Sequence, residues 1–163
     1  MKRLIPIGLP VVLLLAFMMA LPLLAAETAL MVHDPWIREA PPVAQTQAGY
    51  MMIHNGSGKE VSIVSATSPA FAKVEMHETV TTKEGMSTMK AMERMTVQPG
   101  GQLTLAPGGY HLMLIAPVKA LKSKDKVPLT LKLEDGSLVQ VEAEVRAPQG
   151  GKSEATQDHH HNH

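Results

Sequence analysis

Gly108-Gly109-Tyr110-His111-Leu112-Met113-Leu114-Ile115 reads as a turn feeding a β-strand, two glycines followed by an apolar run of strand length. Side chains alternate across a strand. His111 and Met113 therefore share one face, and Tyr110, Leu112 and Leu114 share the other. The second face has the character of core. The first sets an imidazole and a thioether about 7 Å apart, from a rise of about 3.3–3.4 Å per residue. That pair is half of a ligand set suited to a soft metal ion, and the other half has to come from elsewhere in the chain.

Downstream, residues 127–133 and 138–145 flank Asp135-Gly136, with Leu129, Leu131 and Leu133 alternating against Thr130 and Lys132. This predicts a β-hairpin. Residues 119–126 are charged and loop-like. Upstream, residues 102–105 form a short strand, which Ala106-Pro107-Gly108-Gly109 turns into the opening element. Residues 73–79 alternate Val74 and Met76 against Glu75 and His77, and residues 60–66 alternate Val61 and Ile63 against polar neighbours. Residues 47–54 are a strand closed by Asn55-Gly56-Ser57-Gly58, and residues 29–38, carrying Trp36, are a strand broken by Pro41-Pro42. Met86, Met89, Met92 and Met95 are three apart, a spacing that would line one helical face. Gly85, Thr88 and Thr96 favour instead a loop leading into a strand. Short strands separated by regularly spaced turn signals predict an all-β fold, an antiparallel sandwich or barrel, with no internal repeat.

The 163 residues suffice for one domain with a real core. Lys2 and Arg3 precede an apolar stretch over residues 4–24, and Ala25-Ala26 then offers a cleavage point before Glu27. This pattern predicts a secretory signal peptide over residues 1–26, cleaved near Ala26, and an exported, periplasmic protein. The alternative is an uncleaved anchor, since about 20 apolar residues would span a bilayer. Residues 27–147 are expected to form the folded domain, free of the membrane after cleavage, and residues 148–163 a disordered, His-rich tail. Of fifteen basic and fifteen acidic side chains, loss of Lys2 and Arg3 leaves 13 against 15, a formal charge of −2. No basic patch suggests nucleic-acid binding. The chain contains no cysteine, so disulfides, thiolate ligands, a catalytic thiol and a lipid-bearing cysteine have no residue to use.

His77, Met89, His111 and Met113 are the candidate ligands. Thioethers and imidazoles suit Cu(I), whereas zinc more often recruits Cys, His or carboxylate. A thioether also stays a ligand in an oxidising compartment without losing a proton or forming a disulfide. Each residue taken singly has a plainer reading, Met as core filler and His as a surface or hydrogen-bonded group. Two of each, with one pair on a single strand face, favour the metal.

The spacing His77, eleven residues, Met89, twenty-one residues, His111, one residue, Met113 resembles the motif of the periplasmic copper chaperones that supply the CuA centre of cytochrome c oxidase. Trp36-Ile37-Arg38, Ala48-Gly49-Tyr50, His54-Asn55 and residues 105–113 are similar to that family as well, so the likeness covers roughly residues 30–147. It departs at Glu78, where the family often has a second Met after the His, and Met76 on the other side is the candidate accessory ligand. The resemblance implies a cupredoxin-like β-sandwich or barrel that binds and transfers Cu(I) without catalysis. Its partner would be a copper-accepting protein, such as a cytochrome oxidase subunit or another assembly chaperone.

His159, His160, His161 and His163 are a possible second, Cu(II)-binding group. Sixteen residues of coil span about 20–25 Å, enough for the tail to fold back over the domain. His54, beside a turn, is expected to be hydrogen-bonded structure, and His33 has no assigned role. Three other readings remain: a copper enzyme, for which no substrate cleft can be inferred; storage or resistance using the same ligands; and a metal-free sandwich interaction module. An electron-transfer cupredoxin would need a cysteine.

Overall fold

The computed structural model describes residues 30–83 and 85–148; the expected signal peptide and the His-rich tail lie outside them. Ten strands follow in order: β1 (Leu30–Arg38), β2 (Thr46–Asn55), β3 (Val61–Thr67), β4 (Phe71–Thr81), β5 (Ser87–Ala91), β6 (Met95–Val97), β7 (Gln102–Leu105), β8 (Tyr110–Pro117), β9 (Lys126–Leu133) and β10 (Leu138–Arg146). All form one ladder ordered β5-β4-β8-β7-β2-β1-β10-β9-β3-β6, with β8 also pairing β2. The fold is all-β, as the turn-separated alternation predicts. The Met-rich segment is not helical: it supplies β5 and β6.

Period-two burial builds the core. Val127, Leu129, Leu131 and Leu133 of β9 are buried, as are Val139, Val141, Ala143 and Val145 of β10. Their hairpin closes at Gly136, whose φ of 86° suits a residue without a Cβ. Leu112 and Leu114 of β8 are 1% and 0% exposed. The ladder curls so that β3 and β4, distant in ladder order, approach each other. Phe71 and Met76 of β4 then share one apolar cluster with Ile63 and Ala66 of β3.

Two pairings correct the antiparallel expectation. β1 runs parallel to β10, with Ile37 opposite Val145, and β7 runs parallel to β8. The second has a local cause that positions the site. β7 pairs antiparallel with residues 51–54 of β2, and β8 pairs antiparallel with residues 46–49 of the same strand. The Ala106–Gly109 turn therefore does not reverse the chain. It offsets it, with Gly109 N donating to Ala106 O at 3.0 Å and Gly108 at φ 83°. The offset lodges β8 between β2 and β4.

At the far end of β2, Asn55 is fully buried. Its Nδ2 donates to the carbonyls of Lys59 (2.8 Å), Val97 (3.0 Å) and Gln98 (3.2 Å). Its Oδ1 accepts from Ser57 N (3.0 Å) and Ser57 Oγ (2.6 Å). One amide thus ties the β2 turn to β6.

Candidate metal centre

Lodged beside β4, β8 sets His111 directly opposite His77 and Met113 opposite Glu75. The two imidazole centroids are 5.8 Å apart. Both pairs are on the face turned away from the core, because the intervening Met76 and Leu112 are buried in it. Met89 comes from the other flank of β4, where Thr79 is its register partner; Thr79 shares a face with His77 by alternation. Met89, His111 and Met113 line a surface cavity of about 260 Å³ whose remaining wall includes Arg38, Thr46 and Ala48. His77 sits beside that cavity, against His111.

Each imidazole is held in one tautomer by a neighbour that can only accept. His111 Nδ1 donates to Gly109 O at 3.1 Å, which leaves the Nε2 lone pair free. His77 Nε2 donates to Glu75 Oε2 at 2.9 Å, which leaves Nδ1 as the basic nitrogen. That Nδ1 is buried with no hydrogen-bond partner among the described residues. An orphaned buried lone pair is costly unless something binds it, and a metal ion fits it. Carboxylate and carbonyl partners of this kind orient metal-binding imidazoles generally. Lys73 first, and His77 second, hold the Glu75 carboxyl below the usual carboxylate range, so it remains an acceptor into mild acid.

Accessibility is graded across the group. His111 is buried at 7% exposure, while Met89 is 62% exposed on β5, an edge strand with every residue exposed. The donor set is neutral and soft, anchored at the histidines and open at Met89.

Sequence reading missed the residues that orient the site. Glu75 could have been found, since it is two residues from His77 on the same strand face. Gly109 contributes through its backbone, and Arg38 and Gln47 reach the cavity only through tertiary folding. Gln47 Oε1 is buried there without a partner among the described residues. Met76 is a correction: it is 5% exposed in the core, on the opposite face of β4 from His77, so it does not join the group as an accessory ligand. His54 is another, since its imidazole has no hydrogen bond among the described residues and the polar hub is its neighbour Asn55. His159, His160, His161 and His163 lie outside the described residues.

The profile of the family described as LpqE-like lipoproteins matches residues 30–145, all ten strands but for the last residue of β10. The chain belongs to the LpqE-like family. A relative in Leifsonia xyli subsp. xyli, the lipoprotein Lxx21020, is 36% identical over 116 residues, covering 71% of this LpqE-like chain and 68% of its own length. Among solved structures, the Cu(I) form of DR1885 from Deinococcus radiodurans is 32% identical with a TM-score of 0.56, over 80% of this chain and 83% of that one. Its apo form is 27% identical with a TM-score of 0.60, over 93% and 100%. The copper-bound PCuAC domain from PmoF2, 22% identical with a TM-score of 0.62 over 74% and 94%, shares the fold. LpqE-like and PCuAC domains thus have one architecture.

Proposed function

We propose that this protein is an exported copper chaperone, with no catalytic role, that binds Cu(I) through His77, Met89, His111 and Met113. It hands the ion to a copper-enzyme acceptor, the CuA site of cytochrome c oxidase by resemblance. The observation that carries this reading is the pair of registered imidazoles, each with one ring nitrogen that makes no hydrogen bond among the described residues, beside two thioethers at an open cavity. The Cu(I) form of DR1885, similar over most of this chain, supports the choice of ion. Export is supported by the signal-like residues 1–26 and by the family's description as lipoproteins; the folded domain would be residues 27–147 and its compartment the periplasm.

The arrangement suits transfer. An incoming ligand displaces the exposed Met89 first while the two histidines hold the ion, so copper passes by ligand exchange without release to water. An anaerobic Cu(I) competition titration tests binding: a tight equivalent is expected that weakens by about tenfold or more in Met89→Ala. Glu75→Ala should weaken it by about 10- to 100-fold, the usual effect of removing an orienting partner; unchanged affinity would remove Glu75 from the site. Mixing the loaded protein with the apo form of a soluble CuA domain separates delivery, in which copper appears on the acceptor, from storage, in which it stays. With no tight equivalent, the metal-free module becomes the better reading.

The tail forms a second part of the proposal, collecting Cu(II) at His159, His160, His161 and His163 for later reduction by a partner reductant. Cu(II) uptake should fall when residues 150–163 are removed, and equal uptake would eliminate the idea.

A further inference from the structure

His33 and His54 have no place in the centre described above, yet each closes a Met-x-His triplet: Met31-Val32-His33 in β1 and Met52-Ile53-His54 in β2. Residues two apart on a strand share a face, so each triplet presents its thioether and imidazole on the same side. The middle residues identify that side. Ile53 is buried in the core and Val32 packs against it, so both Met-His pairs are on the outer face of the sheet.

The antiparallel register then interlocks the triplets, with Met31 opposite His54 and His33 opposite Met52. Direct cross-strand neighbours have Cβ atoms about 4.5–5.5 Å apart, and same-face neighbours along a strand are about 7 Å apart. Two thioethers and two imidazoles therefore occupy the corners of a small rectangle, each sulfur facing a ring across the ladder. The donor set matches that of the first centre, and the spacing along each strand matches His111-Leu112-Met113. Met31 is 48% exposed, His33 is exposed, and Met52 and His54 are half-buried, so the group is open to an ion from solvent.

The surroundings select a soft ion over a hard one. Asp34, the nearest carboxylate in sequence, is paired with Arg146, whose guanidinium holds its carboxyl below the ordinary range by hydrogen bonding. On β7, the neighbours opposite His54 and Met52 are Gln102 and Thr104, which bond to each other at 3.2 Å. What remains is neutral sulfur and nitrogen.

We propose that Met31, His33, Met52 and His54 form a second site for a soft, closed-shell monovalent ion, Cu(I) or Ag(I), on the outer face of the β1–β2 ladder. Along that face of β2, Met52 is four residues from Ala48 in the first cavity's wall, roughly 13 Å at a rise of about 3.3–3.4 Å per residue. Tyr50, midway between them on the same face, carries the Trp36 ring tilted against its own, 4.6 Å between centroids. The two sites share no ligand, so either can fail without the other.

The test is an anaerobic titration of the full chain with Ag(I), which is inert to redox change, followed by NMR of methionine ε-methyl groups labelled with carbon-13. Met31 and Met52 are expected to shift in saturable fashion. In His33→Gln/His54→Gln their apparent affinity should fall tenfold or more while Met89 and Met113 respond as before. In His111→Ala they should still respond. Unmoved Met31 and Met52 methyls in the wild type would overturn the site. So would a response untouched by the double histidine substitution, or one abolished by His111→Ala. All the substituted side chains in the double variant are on the outer face, and an unchanged melting temperature checks that the fold is retained.

Discussion

His111→Ala is expected to lower Cu(I) affinity by at least about 100-fold, above the 10- to 100-fold typical of removing a mere orienting partner. His111 is the most deeply placed of the four candidate ligands that face the outer side, at 7% exposure, and Gly109 O fixes its tautomer. It stands between Met113, its neighbour two residues on, and His77, its partner across the ladder. Its loss separates the remaining donors as well as removing one. The fold should survive, because the side chain points away from the core that Leu112 and Leu114 fill. The measurement is a competition titration under anaerobic conditions, with unfolding curves run beside it. Affinity within threefold of wild type, in a folded variant, would take His111 out of the site and with it the copper reading.

The second large effect falls on stability. Asn55→Ala should reduce the free energy of unfolding by about 3 kcal/mol, since each buried polar group left unpaired costs about 1–3 kcal/mol. The carbonyl of Val97 lies buried at 3.0 Å from Asn55 Nδ2, and the carbonyls of Lys59 and Gln98 depend on the same amide. A loss of this size is a large share of the roughly 5–15 kcal/mol that holds an ordinary domain together. Asn55→Asp is the informative companion. It keeps an acceptor for Ser57 but turns a charge toward three carbonyl oxygens, so it should be no less destabilising. Urea denaturation measures both, and a loss under about 1 kcal/mol in each would show that water replaces the amide. Copper binding by the folded fraction at the His77, Met89, His111 and Met113 centre should not change: Asn55 ends β2 seven residues beyond Ala48, roughly 23 Å along the strand at about 3.3–3.4 Å per residue.

Most of the strands were legible in the residues because alternation is a local property. Leu129, Leu131 and Leu133 against Thr130 and Lys132 are enough to predict β9, and Asp135-Gly136 predicts its hairpin to β10. The same reading placed His111 and Met113 on one face of β8 and kept Leu112 and Leu114 for the core. The four candidate ligands were legible in part by type and in full through a family spacing, which needed no geometry. The two Met-x-His triplets show the limit of that approach. Their residues are plain in the sequence, but nothing in it says that β1 and β2 pair in the register that sets Met31 against His54.

By itself, then, the sequence determined an all-β chain, the position of most strands and the face each side chain takes, because period-two patterning is settled between near neighbours. Tertiary structure alone decided which strands touch. It made the Ala106–Gly109 turn an offset, so that β8 lies between β2 and β4 and His111 meets His77. It paired β1 with β10 in parallel and aimed Glu75 at one nitrogen of His77. Those outcomes depend on which apolar faces bury one another and on the register that results, and both are properties of strands far apart in the chain.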